Sequence, residues 1–369
     1  MAVEFTEDTP NEVRFFEAAK DLPGACDDID LTPESVDDIA EIFQTPLTGA
    51  YNWDYKIQEN RIRQLYELGK KLNWNAETDI DWTKPMVGMD DELRAMQNGF
   101  AGWGPFEALS ERQKLEFYDH SDAWTLSQFL HGEQGALLVA SQLVSCAPTY
   151  AAKLYAGSQT FDEARHVEVF NKYIQKKFGL MYPVNSSLKS ILDKILTDHR
   201  WDLKFIGMQV VIEGLALSAF NTMHELATED SLIKDILGYV IRDEARHVAF
   251  GIHYLEEFVK SLSEEEREER AEFAYQACVV SRERLVPTDV FEFYGWDVEE
   301  ARQIFLESSG TAKFRNHLFS RVVPNLRRIG LLTDKIRPKF EALGVLEYEN
   351  LVDDGEIDWA EMSKPLKAG

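Results

Sequence analysis

The sequence predicts an all-α protein built on a four-helix bundle, with additional flanking helices. Three observations predict it. Residues 162–166 read Asp-Glu-Ala-Arg-His, and residues 243–247 repeat the same five residues. Long stretches around both copies carry apolar residues at helical spacing, closed off by prolines and by Ser, Thr or Asp caps. No two segments alternate as a strand pair would.

The elements follow in order. Residues 1–31 are acidic and weakly patterned, with one short helix expected around Glu12–Lys20. Thr32-Pro33-Glu34-Ser35 is a helix start, a cap followed by proline in the first turn, and opens a helix to about Phe43. Tyr51–Leu72 has a helical pattern in Tyr51, Tyr55, Ile62, Leu65, Tyr66 and Leu68. Residues 73–106, with Trp74, Trp82, Trp103, Pro85 and Pro105, read as irregular structure pinned by aromatics. From Ser110 the pattern is helical to Cys146, as one helix or as two meeting near His120-Ser121-Asp122. Pro148 opens a helix through Lys177, and Ser186–His199 is a shorter one. Trp201–Thr228 is long and strongly apolar. Glu229-Asp230-Ser231 caps a helix to Ser261, and Ser263-Glu264-Glu265-Glu266 caps another to Leu285. Further helices are expected after Pro287 and over residues 297–307, 310–328 and 333–342, before a loose tail of the last twenty residues. This divides the chain into an N-terminal helical arm and packing region (1–105), the bundle (106–262) and C-terminal helices packing on it (263–369).

Composition narrows the function. A net charge of −26 argues against nucleic acid and anionic membranes as partners. Cys26, Cys146 and Cys278 fall in no metal-binding or redox spacing, which fits a reducing cytoplasm. The N-terminus has no signal-peptide pattern, and no window approaches the run of about 20 apolar residues that spans a bilayer. The expectation is a cytoplasmic protein.

The repeated motif carries the chemistry. Glu163 and His166, then Glu244 and His247, stand three residues apart, so each pair leaves one face of a helix. Each preceding helix holds one more glutamate that is hard to place on a surface. Glu133 has Phe129, Leu130, Ala136 and Leu137 as its turn neighbours. Glu213 is the lone charge in a stretch from Gly207 to Leu217. A carboxylate on such a face is costly unless something pairs it. The separations of 30 residues (Glu133 to Glu163) and 31 residues (Glu213 to Glu244) each span one helical hairpin back to the same level. Four carboxylates and two imidazoles suit two iron ions, or manganese with iron, better than zinc or copper.

At these residues the sequence resembles the ferritin-like di-iron carboxylate superfamily. Gly132-Glu133 followed by Ala136, with both Asp-Glu-Ala-Arg-His copies, is similar to the hydroxylase α-subunits of bacterial multicomponent monooxygenases acting on methane or toluene. The likeness covers roughly residues 120–260. It implies that Glu133, Glu163 and His166 would hold one iron, and Glu213, Glu244 and His247 the other. Asp162 and Asp243 would accept the imidazole N–H of the opposite hairpin's histidine, with Arg165 and Arg246 pairing those aspartates. There are departures. Leu217 stands where those monooxygenases carry threonine. Phe170 stands where the ribonucleotide reductase small subunit usually has its radical tyrosine. Val240 stands where arylamine N-oxygenases of the superfamily carry an extra histidine.

Phe129, Leu137, Phe170, Gln209, Val210, Leu217 and Phe250 lie about one turn from these residues and form the expected substrate pocket, mostly apolar. The reading is a non-haem di-iron oxygenase. It activates O2 with Fe2+/Fe3+ chemistry to hydroxylate, N-oxygenate or desaturate a small organic substrate. A ferroxidase or peroxide scavenger, and a ribonucleotide-reductase-like oxidase, are the alternatives. With no nucleotide or flavin motif, electrons would come from a separate donor such as a ferredoxin with its reductase. A homodimer is expected from the resemblance.

Overall fold

The computed structural model describes residues 14–15, 40–56, 60–88 and 99–356. Helix α1 is Arg61–Lys71, started by Asn60, whose side chain accepts from the Arg63 N–H. The expected start at Tyr51 is too early. Residues 51–56 form no helix, and Tyr51, Trp53 and Tyr55 are exposed, so their spacing meets no core. Residues 40–43 are not helical either, and 32–39 lie outside the described residues. Among the described residues, the irregular stretch that follows holds one short helix, α2 (Gly104–Glu107).

Four long helices make the bundle. The first hairpin is α3 (Glu111–Cys146) and α4 (Tyr150–Lys177), and the second is α6 (Trp201–Leu226) and α7 (Leu232–Ser261). Ser110 starts α3 with a reciprocal capping box to Gln113. Helix α3 runs unbroken through His120–Asp122. That triplet holds no proline or glycine, and His120 Nδ1 meets Tyr182 Oη at 2.6 Å. The short helix α5 (Ser186–Thr197) lies in the connection between hairpins. Helix α6 is long and apolar enough to cross a membrane, contrary to the hydropathy expectation, yet its apolar 18-residue stretch is entirely buried within the fold. Residues Ile206–Ile212 within it are a π-helix, which no sequence signal announced.

The C-terminal part is α8 (Glu264–Glu283), α9 (Thr288–Phe293), α10 (Val298–Glu307), α11 (Ser309–His317), α12 (Phe319–Ile329) and α13 (Arg337–Ala342). The stretch expected as one helix over 310–328 is two, divided at Leu318. Val322, Val323 and Leu326 of α12 thereby join the bundle's core. The expected tail is partly tied down, for the buried Asp354 carboxylate accepts from Arg321 and Asn325 at 2.7 and 2.8 Å. Arg14–Phe15, where a helix was expected, pairs antiparallel with Leu180–Met181. Two residues are too few for alternation to show in sequence.

Candidate metal centre

The four bundle helices bring Glu133, Glu163, His166, Glu213, Glu244 and His247 together at mid-bundle, none more than 5% exposed. Glu133, Glu163, His166 and Glu244 offer ligand atoms within 4.8 Å of one another, and Glu163, Glu213 and His247 form a second such group. Glu244 sits with the first group and Glu163 with both, because carboxylates on the inner faces of α4 and α7 meet across the bundle axis.

Both imidazoles turn Nδ1 toward the carboxylates. His166 Nδ1 is 3.1–3.3 Å from Glu244 Oε1, Glu133 Oε2 and Glu163 Oε2. His247 Nδ1 is 3.1 Å from Glu163 Oε1. The far nitrogens cross the hairpins. His166 Nε2 donates to Asp243 Oδ2 at 3.2 Å, and His247 Nε2 donates to Asp162 Oδ2 at 3.1 Å. Each aspartate is held by cations in turn. Arg246 donates to Asp162 and Asp243 at 3.0 and 2.6 Å, and Arg165 donates to the same two at 2.5 and 3.2 Å. Two buried guanidinium ions thus balance two buried carboxylates. Such partners hold an imidazole's ring plane and tautomer.

Two contacts had no place in the sequence reading. Gln159 Nε2 donates to Glu163 Oε1 and Glu213 Oε1 at 3.0 and 2.9 Å, tying one carboxylate from each hairpin. Its signal was legible, since it stands four residues before Glu163 as Gln209 does before Glu213. Trp74 Nε1 donates to Asp243 Oδ2 at 2.8 Å, with Arg165 over its ring at 5.0 Å. Nothing in the sequence pairs residues so far apart.

The predicted pocket residues fall on two ends of the site. Phe129, Phe170 and Leu217 lie toward one end with Phe220, whose ring is 4.8 Å from Phe129 and 5.6 Å from Phe170. Gln209, Val210 and Phe250 lie toward the other, where Phe250 meets Tyr155 at 4.3 Å and Gln209 packs on Gly251. Leu137 is half-buried and faces away from the core. Val240 is fully buried, one turn before Glu244.

Electrostatics says what the cluster lacks. Burial, with Glu244 and Glu163 close by, pushes Glu133 up to about 8. Burial and the Glu163 and Glu244 charges push Glu213 well above the usual carboxylate range. Burial would raise Glu163 too, but His247 and His166 outweigh it and hold that carboxyl low. Burial lowers both imidazoles, yet the surrounding carboxylates outweigh it and raise them. Oε2 of Glu163, Glu213 and Glu244 are buried without a hydrogen-bond partner. Two divalent ions would neutralise four carboxylates and engage those oxygens, so the donor set fits a pair of hard metal ions.

The family model described as P-aminobenzoate N-oxygenase AurF matches residues 56–330, well over half of the chain. The chain belongs to this family. The family lies within the ferritin-like di-iron carboxylate superfamily that the motif strings resemble. The protein is a non-haem di-iron oxygenase, an O2-dependent oxidoreductase acting on a small organic substrate. No curated protein matches. Among solved structures, the chain is similar to an R2-like ligand-binding oxidase with aerobically reconstituted Mn/Fe cofactor. Identity is 17%, covering 74% of this chain and 93% of that one, with a TM-score of 0.46. A single-residue variant of such an oxidase, with anaerobically reconstituted Mn/Fe cofactor, is 19% identical over 73% of this chain and 93% of its own, with a TM-score of 0.46.

Proposed function

We propose that the protein N-oxygenates a small aromatic amine, with Glu133, Glu163, His166, Glu213, Glu244 and His247 holding two iron ions. The observation that carries this is the convergence of six buried donors from four helices, with three carboxylate oxygens free to bind. Family membership supports N-oxygenation as the outcome. When bound, the metal pair supplies reductive activation of O2 for attack on the amine nitrogen.

The chain's own residues supply position and exclusion. Asp243 and Asp162 hold the two imidazoles by their Nε2–H, and Arg165 and Arg246 pair with those aspartates. Gln159 holds one oxygen of Glu163 and one of Glu213, which leaves the other oxygen of each for the metal. Phe129, Phe170 and Leu217 make an apolar wall that keeps water from the reacting nitrogen. With Val240 on α7, the cage has two imidazoles and no third. Manganese–iron loading fits the same donors. Electrons come from a separate protein donor such as a ferredoxin with its reductase, and the enzyme works in the cytoplasm as a homodimer.

The test is turnover of p-aminobenzoate and related arylamines by iron-loaded protein with a chemical reductant under 18O2. The expected product is the N-hydroxylated amine carrying one heavy oxygen. Oxygen consumption by iron-loaded protein that leaves every arylamine unchanged would falsify the reading.

A further inference from the structure

Beyond the Phe129–Phe220–Phe170 contacts lies a cavity of about 100 Å³. All four bundle helices wall it: Leu126 of α3, Tyr173 of α4, Met223 and Leu226 of α6, and Leu237 of α7. Their register places it on the bundle axis. Leu126 precedes Glu133 by seven residues, Tyr173 follows His166 by seven, and Leu237 precedes Glu244 by seven. Seven residues return a helix to nearly the same face about 10 Å along its axis. The walls therefore face inward as the metal-binding residues do, two turns away.

Between cavity and carboxylates stands one layer of side chains. Phe129 precedes Glu133 by four residues, Phe170 follows His166 by four, Leu217 follows Glu213 by four and Val240 precedes Glu244 by four. All four are buried and apolar. The cavity's polar residues, Asp122, Thr125 and Lys177, lie further from the carboxylates, at its outer rim. A cavity of this order with a mostly apolar lining takes up a small apolar molecule such as benzene.

We propose that this cavity is the vestibule through which substrate reaches the metal centre. It takes a molecule about one aromatic ring in size, and the rings of Phe129 and Phe170 turn aside to pass it inward. The inference rests on the oxygenase reading and adds the route and the size class of the substrate.

The test uses iron-loaded protein and three probes: benzene binding by calorimetry, steady-state kinetics with aniline, and removal of ferrous iron by 2,2′-bipyridine. Met223→Trp, at a half-buried wall position, fills the cavity. Leu138→Trp, on the outer face of α3, is the control. Native protein and the control are expected to bind benzene, and Met223→Trp to bind it at least about tenfold more weakly. The plug is expected to lower kcat/KM for aniline at least about tenfold with kcat within about twofold, and to slow iron removal by a similar factor. Phe170→Ala, which opens the layer, is expected to speed iron removal. The chelator and benzene arms need no turnover, so they stand even if arylamines prove not to be substrates. No benzene binding in native protein overturns the vestibule. So does a plugged variant, folded and loaded with iron, that keeps native iron removal.

Discussion

In the first hairpin Glu133 stands on an uninterrupted α-helix of 36 residues, whereas in the second Glu213 follows directly on a seven-residue π-helix. The Glu213 N–H reaches back five residues to the Met208 carbonyl, one residue further than in an α-helix. The motifs Glu163–His166 and Glu244–His247 are otherwise alike. The glutamines show what the difference does. Gln159 and Gln209 each precede a glutamate by four residues. On the regular helix Gln159 points into the site and binds two carboxylates. On the wider π turn Gln209 is rotated away, its Cβ against Gly251 and both ends of its amide unpartnered in a fully buried place. Such segments hold an extra residue in an α-helix and recur at functional sites. The repeated motif thus has the same local geometry in both hairpins while the helices opposite it differ.

The sharpest test of this comparison is to delete one residue from each helix. Deleting Val211 absorbs the extra residue and leaves a plain α-helix, so the protein is expected to fold and to lose only a few degrees of melting temperature. Deleting Val139 from α3 turns every residue beyond it by about 100°, exposing the core face. Thermal melts followed by circular dichroism should show no cooperative transition for that variant. Equal effects of the two deletions would break the comparison.

Next in size is the metal itself, where the hairpins should behave alike. Glu163→Ala and Glu244→Ala are each expected to lower bound iron at least about tenfold, read by mass spectrometry of the purified protein. Native iron content in either variant would mean that one hairpin holds the metals alone.

The glycines give a smaller contrast, read by denaturant unfolding. A Cβ at Gly251 would sit 2.6 Å from Gln209 Cβ, a backbone-anchored atom that cannot swing clear. Gly251→Ala should cost about 1–3 kcal/mol. Nothing lies within 4 Å of a Cβ at Gly132 on the regular helix. Gly132→Ala should stabilise by about 0.5–1 kcal/mol.

A last contrast concerns Gln209. Replacing it by leucine removes two unpaired polar atoms and should stabilise the protein by about 1 kcal/mol without loss of iron. Gln159→Leu strips a partner from two carboxylates and should weaken iron binding about tenfold or more. Matching iron affinities for the two variants would erase the distinction between the glutamines.

What the sequence determined by itself was whatever depends on neighbours along one helix. Three residues is nearly one turn, so Glu163–His166 and Glu244–His247 were paired before any fold was known. Glu133 and Glu213 stood out because a lone carboxylate among apolar neighbours needs a partner. Caps at Ser110 and Ser263 mark helix starts, but the pattern from Tyr51 was carried too far because periodicity says nothing about which face meets a core. The crossed pairs His166–Asp243 and His247–Asp162 were implied by the family resemblance. Only the tertiary structure decided the reach of Trp74 to Asp243, the sharing of Glu163 between both donor groups and the cavity behind Phe129 and Phe170. Those contacts join residues separated by tens of positions, and no local periodicity encodes them. The π turn belongs with them. A π turn is rare, and here all of Ile206–Ile212 is buried against the other helices, so tertiary packing holds what no local preference favours.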